Sequence, residues 1–201
     1  MNGSIKRMLA AILVVVLLLT NVNFAPIVNA YIFHGDYTDV AKIYDSNSCP
    51  SMQGLAVGSQ MMYAIKINSG NTKAVITMTD KDTGEITTLT DASTGYSYFT
   101  GLDHANDMAV WGIDSASHIF VATTQQGSNA IVRYKRSSST LTKVATYHLQ
   151  CNGSDICATA MDVMKVDSSG YIHLITKWGM DIYTGTVHKD TGDNTISMNK
   201  L

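Results

Sequence analysis

The chain has 201 residues, 14 Lys plus Arg against 16 Asp plus Glu, a formal net charge of −2 at pH 7, and 45% hydrophobic residues. No basic run occurs in it, which argues against a nucleic-acid partner and against purely electrostatic attachment to anionic lipid. Fifteen of the 16 acids are Asp, with Glu85 the exception; Asp favours turns over helices, so a chain of strands and turns is expected.

In chain order, Lys6 and Arg7 precede an unbroken apolar run, "MLAAILVVVLLL" at 8–19, and "VNA" at 28–30 puts small or apolar residues at a cleavage position. This pattern predicts a signal peptide over residues 1–30, cut after Ala30, with Ala25 as the alternative site. The run is shorter than the roughly 20 residues that span a bilayer. The mature protein is therefore expected to be secreted or held at the cell surface, meeting a membrane only through the signal peptide. Its charge would be about −4, with 12 basic residues against 16 acidic ones. Residues 31–50 form an N-terminal segment in which "VAKIY" at 40–44 is expected to add an edge strand.

From residue 51 onward, short runs rich in Val, Ile, Thr and Tyr alternate with Gly, Asn, Asp and Ser, the pattern of strands and turns. The first set is "GLAVG" at 54–58, "MMYAIKI" at 61–67, "KAVITMTD" at 73–80 and "GEITTLT" at 84–90. The second is "DMAVWGID" at 107–114, "HIFVATT" at 118–124, "AIVRYKR" at 130–136 and "LTKVATY" at 141–147. The third is "AMDVMKVD" at 160–167, "YIHLITK" at 171–177, "DIYTGTVHK" at 181–189 and "NTISM" at 194–198. Leu55, Met108 and Met161 are spaced by 53 residues, as are Val57, Val110 and Val163. Four strands recurring at this period predict β-propeller blades. The expected fold is all-β: a partial β-propeller of three four-stranded antiparallel blades, over about 51–100, 101–150 and 151–201. Propellers have four to eight blades, so the chain is expected to be truncated at its C-terminus, or else to close its edges by self-association. A β-sandwich is the alternative architecture.

Cys151 and Cys157 bracket the loop "CNGSDIC", and a disulfide between them is expected in an oxidising exterior. Cys49 is left as a free thiol or as a partner for one of the two. The cysteines lack a His at zinc-ligand spacing, and the turns "DKDTGE" and "KDTGDN" lack the calcium-loop ligand pattern. No metal and no cofactor is expected.

Together, "QGLAVG", "MMYAIKIN", "GLDHANDMAV" and "HIFVAT" resemble the helveticin J-like proteins, a secreted, bacteriocin-like β-propeller family of Gram-positive bacteria. The resemblance rests on Gln53-Gly54 opening the first repeat and His104 to Met108 opening the second, and it covers most of residues 50–200. It implies a longer, five-bladed chain and an antibacterial role, and it carries no catalytic residues over.

The residues singled out for binding are Gln53, His104, Asn106, Asp107, Asp162 and Trp178. In a propeller, the loop leading into each inner strand opens on one rim. There His104 would act as acid, base or ligand, Asp107 would orient it, Asn106 would bind a sugar hydroxyl and Gln53 would add a polar group. The same His, Asn and Asp serve equally well as hydrogen-bonding hardware between strands. Asp162 replaces Ala56 and Ala109 of the other two repeats on an inner strand. Trp178 is expected in a turn, as an exposed aromatic. The function expected is a module that binds a cell-wall glycan or bacterial surface. The alternatives are a propeller-type polysaccharide hydrolase or lyase, which would use Asp107 and Asp162 as its two carboxylates, and a non-catalytic scaffold.

Overall fold

A computed structural model of the chain describes residues 41–124 and 129–201. Among them there is no helix; fourteen strands carry the fold. They are β1 (Ser51–Val57), β2 (Met61–Ile67), β3 (Ala74–Asp80), β4 (Ile86–Thr88), β5 (Thr90–Asp91), β6 (Asp107–Ile113) and β7 (Ala116–Thr123). They continue as β8 (Ala130–Ser137), β9 (Thr140–Cys151), β10 (Ser154–Asp155), β11 (Ala160–Val166), β12 (Tyr171–Trp178), β13 (Asp181–His188) and β14 (Asn194–Lys200). Each of the twelve runs read from the sequence overlaps a strand. The signal peptide and residues 31–40 lie outside the described residues; residues 41–45 form no strand, so that part of the expected edge strand is absent.

Three antiparallel meanders result, β1-β2-β3-β4, β6-β7-β8-β9 and β11-β12-β13-β14. Their turns follow from residues that tolerate left-handed backbone. Asp114 and Ser115 (φ 48° and 63°) reverse the chain between Ile113 and Ala116, and Gly179 (φ 61°) does so between Trp178 and Asp181. The Asp80 side chain closes the β3–β4 turn, accepting from the Asp82 and Thr83 N–H groups at 2.9 Å each.

The second and third meanders do not stay separate, as independent blades would. Their last strands, β9 and β14, pair in parallel from Tyr147–Asn194 to Gln150–Ser197. The cause is the length of β9: its twelve residues leave one edge open, which β5 covers near Thr140 and β14 covers near its far end. The joined sheet runs β11-β12-β13-β14-β9-β8-β7-β6, and its two end strands, β6 and β11, come into contact. It is a nearly closed, barrel-like sheet.

Its interior is one apolar cluster that includes Ala109, Phe120, Ile131 and Tyr147 from the second meander and Val163, Leu174, Tyr183 and Ile196 from the third. The opposite face of the second meander forms another cluster, in which Met108, Ile119, Val121, Val132 and Leu141 meet Tyr63, Ile65 and Ile76 of the first. The second meander is therefore covered on both faces, unlike a sheet in a two-layer sandwich. This explains the sequence texture of β7, whose last six residues are all buried, whereas β12 alternates between covered and exposed positions. Burial of a large apolar side chain contributes roughly 1.5–3 kcal/mol, so these two clusters hold the three meanders in register.

Candidate functional site

The three repeat-equivalent strands β1, β6 and β11 lie side by side, with β6 contacting both of the others. Gly54 makes the first contact: a Cβ on it would stand 3.0 Å from Asp107 Cα and 3.0 Å from Met108 N. It follows a bulge between Met52 and Gly54 that accommodates Gln53. Asp107 makes the second contact. Its Oδ1 accepts from the Met108 N–H at 2.9 Å, and its Oδ2 accepts from the Met161 N–H of β11 at 2.8 Å. This carboxylate ties the two ends of the barrel-like sheet together.

Where the three strands meet there is a cleft of about 230 Å³. Leu55 and Val57 of β1, Val110 of β6 and Asp162 of β11 line it together with Asp107. Asp162 is exposed, and its Oδ1 accepts from the adjacent Val163 N–H at 2.7 Å. It also lines a second, smaller cleft with Ile175, Thr176, Lys177 and Ile182. There the buried Thr176 hydroxyl has no hydrogen-bond partner among the described residues. Asp162 thus stands between a polar cleft and an apolar one.

The structure brings Asp107 and Asp162 into one cleft; Gln53, His104, Asn106 and Trp178 do not line it. The His104 and Asn106 contacts run instead to neighbouring segments. The His104 N–H donates to the Thr124 carbonyl at 3.1 Å, and its Nδ1 lies 3.4 Å from Asn71 Oδ1. Asn106 Nδ2 donates to Thr124 Oγ1. Asp103 and Ala105 take left-handed backbone, each with φ 46°, and Leu102 and Ala105 are fully buried. The segment "GLDHANDM" is therefore strapped to the end of β7 on an apolar base. Trp178 is not in a turn: it is the last residue of β12 and pairs with Asp181, its ring 6.5 Å from that of Tyr183.

The expected Cys151–Cys157 disulfide is not formed; all three cysteines are free thiols. The reason is register. Cys151 pairs with Ser154, Gln150 with Asp155, and the Ile156 N–H donates to the Leu149 carbonyl. Cys157 lies three residues past Ser154, the residue opposite Cys151, and outside any strand, so the hairpin does not bring the two thiols together. Burial pushes the thiol pKa of both Cys49 and Cys157 up.

A further polar cluster was not legible as a site in the sequence. Arg133 on β8 lies at the core-facing parity of Ile131 and is buried. Its Nε donates to His118 Nδ1 at 3.0 Å. Burial, reinforced by the Arg133 and Lys135 charges, holds the His118 pKa down at about 4. Beside them the Lys189 ammonium donates to both oxygens of Asp114, at 2.6 and 2.7 Å, and this pairing lowers the Asp114 pKa. The available signal was a cation at an inward position of an alternating strand.

No protein-family model and no curated protein matches the chain.

Proposed function

We propose that this chain is a secreted binding module for a cell-wall glycan at a bacterial surface, with a bacteriocin-like role, built as a partial β-propeller of three blades. The observation that carries the reading is the cleft between β1, β6 and β11. It exposes one carboxylate, Asp162, which also borders the smaller, apolar cleft formed with Ile175, Thr176 and Ile182. A carboxylate beside an apolar cleft suits a sugar, whose hydroxyls donate while its C–H face packs. The side-by-side inner strands and the sheet faces packed between meanders are the relations expected of blades. The helveticin J-like resemblance supplies the bacterial surface and the secreted setting.

A hydrolase or lyase would need two carboxylates acting across one bond. Asp107 spends both of its oxygens on backbone donors, which favours binding over turnover. The third meander leaves one face uncovered, with Met164, Tyr171 and Ile182 exposed. Self-association through this face would continue the stacking of the other meanders.

The test is binding of the purified protein to Gram-positive cell walls, with wild type and Asp162→Asn side by side. The substitution keeps an acceptor for the Val163 N–H, so the fold should persist. A loss of about tenfold or more in binding is expected. Equal binding by the folded variant removes the cleft as the site, and no binding by wild type to any wall or glycan preparation leaves the scaffold reading.

A further inference from the structure

Arg133 is only 3% exposed, yet no carboxylate lies within ion-pair distance of it among the described residues. Its recorded partners are all neutral: Nε donates to His118 Nδ1, and Nη1 donates to the Tyr147 hydroxyl at 3.3 Å and the Lys189 carbonyl at 2.5 Å. The Phe120 ring lies 6.0 Å from Cζ. A guanidinium does not deprotonate, and the nearest carboxylate, Asp114, feels the Arg133 charge without touching it and is already held by Lys189, so the buried charge is only partly offset. His118 does not offset the charge: it accepts from Nε as a neutral ring, and protonating it would add a second positive charge beside the first.

One nitrogen, Nη2, makes no hydrogen bond to the described residues, and Arg133 lines a cleft of about 290 Å³ together with exposed Lys135. That volume is several times the ~30 Å³ share of a water molecule. The acids around this cleft are already placed. Asp114 is held by Lys189 through both oxygens, and Asp193 accepts from the Thr146 N–H at 2.6 Å. Asp190 stands at the exposed rim, 3.6 Å from His188 Nδ1. The lining therefore carries three cations, Arg133, Lys135 and Lys189, against Asp114 and Asp190.

We propose that this cleft binds a phosphate or sulfate group, held between Arg133 Nη2 and the Lys135 ammonium. The fork of Arg133 is already committed through Nε and Nη1, so the planar bidentate mode that suits a carboxylate is blocked. What remains is a point contact from each of two separate cations, which suits a tetrahedral oxyanion. The site is remote from Asp162 in its lining and does not depend on the glycan reading.

The experiment titrates inorganic phosphate into the purified chain, with chloride and acetate at matched ionic strength as controls. It reads thermal stability and the NMR signals of the His118 ring. The expected result is a saturable rise in Tm and a shift of the His118 resonances with phosphate alone. Lys135→Gln, at an exposed position, should weaken the apparent affinity by about threefold or more, a loss of the size of one exposed charge contact. Arg133→Lys keeps the charge but not the fork geometry and should abolish the response; if that variant does not fold, Lys135→Gln decides. A phosphate response no larger than that to chloride or acetate, or one unchanged in Lys135→Gln, overturns the proposal.

Discussion

The Asp107 carboxylate accepts the backbone N–H of Met161 at 2.8 Å across 54 residues of sequence. This bond joins β6 to β11, the two ends of the barrel-like sheet, and the other oxygen holds the Met108 N–H. Asp107→Ala strands both donors at a partly buried junction. An unsatisfied buried donor costs about 1–3 kcal/mol, so urea unfolding should show a loss of about 2–4 kcal/mol. Asp107→Asn, which keeps one acceptor oxygen, should lose less. A variant at Ala as stable as wild type would mean that the carboxylate is not a structural tie.

Gly54 faces the Asp107 backbone so closely that a methyl group there would need β1 and β6 to part. Gly54→Ala is expected to cost about 1–3 kcal/mol, the range for overpacking. Gly192→Ala, where an added Cβ meets nothing within 4 Å, serves as the control and should change stability by no more than about 0.5 kcal/mol. Thermal melts of the two variants compare them directly.

His118 sets a pH window. Its folded pKa lies at about 4, below the ordinary 6.5. Between those values the unfolded chain binds more protons, so stability rises with pH across the interval. The contribution is fully present above pH 6.5 and is lost as pH falls through about 4, an effect of about 3 kcal/mol. Asp114 and Asp167, whose pKa values are lowered by Lys189 and by His173 respectively, add losses at still lower pH. His118→Gln retains an acceptor for Arg133 and should flatten the slope between pH 4.5 and 6.5 in denaturant titrations. An unchanged slope would exclude His118 as its source.

The thiols offer a fourth check. Protein denatured without reductant should titrate three thiols, because the register of β9 and β10 keeps Cys151 and Cys157 apart. In the native state Cys49 should be the slowest to alkylate, since it is fully buried with its thiol directed to the Asn47 and Lys73 carbonyls. Peptide mass mapping after a brief alkylation distinguishes the three. A disulfide-linked 151–157 peptide would overturn the register argument.

Alternation of apolar and polar residues, the Gly and Asp turns and the 53-residue spacing by themselves determined that this chain is all-β and where its strands fall. These are local properties: a strand's period and a turn's φ requirement are written into the residues that form them. The sequence also marked Asp162, because a carboxylate stands where the other repeats carry Ala. Partners distant in the chain were decided only by tertiary structure. The parallel pairing of β9 with β14 depends on an edge that β8 leaves open, and nothing in "LTKVATY" or "NTISM" encodes the match. The use of both Asp107 oxygens and the gathering of neutral groups around Arg133 likewise arise from strands brought together by packing. The Cys151–Cys157 expectation failed for the same reason: closeness in sequence suggested a bridge, and the hairpin register set Ser154, not Cys157, opposite Cys151.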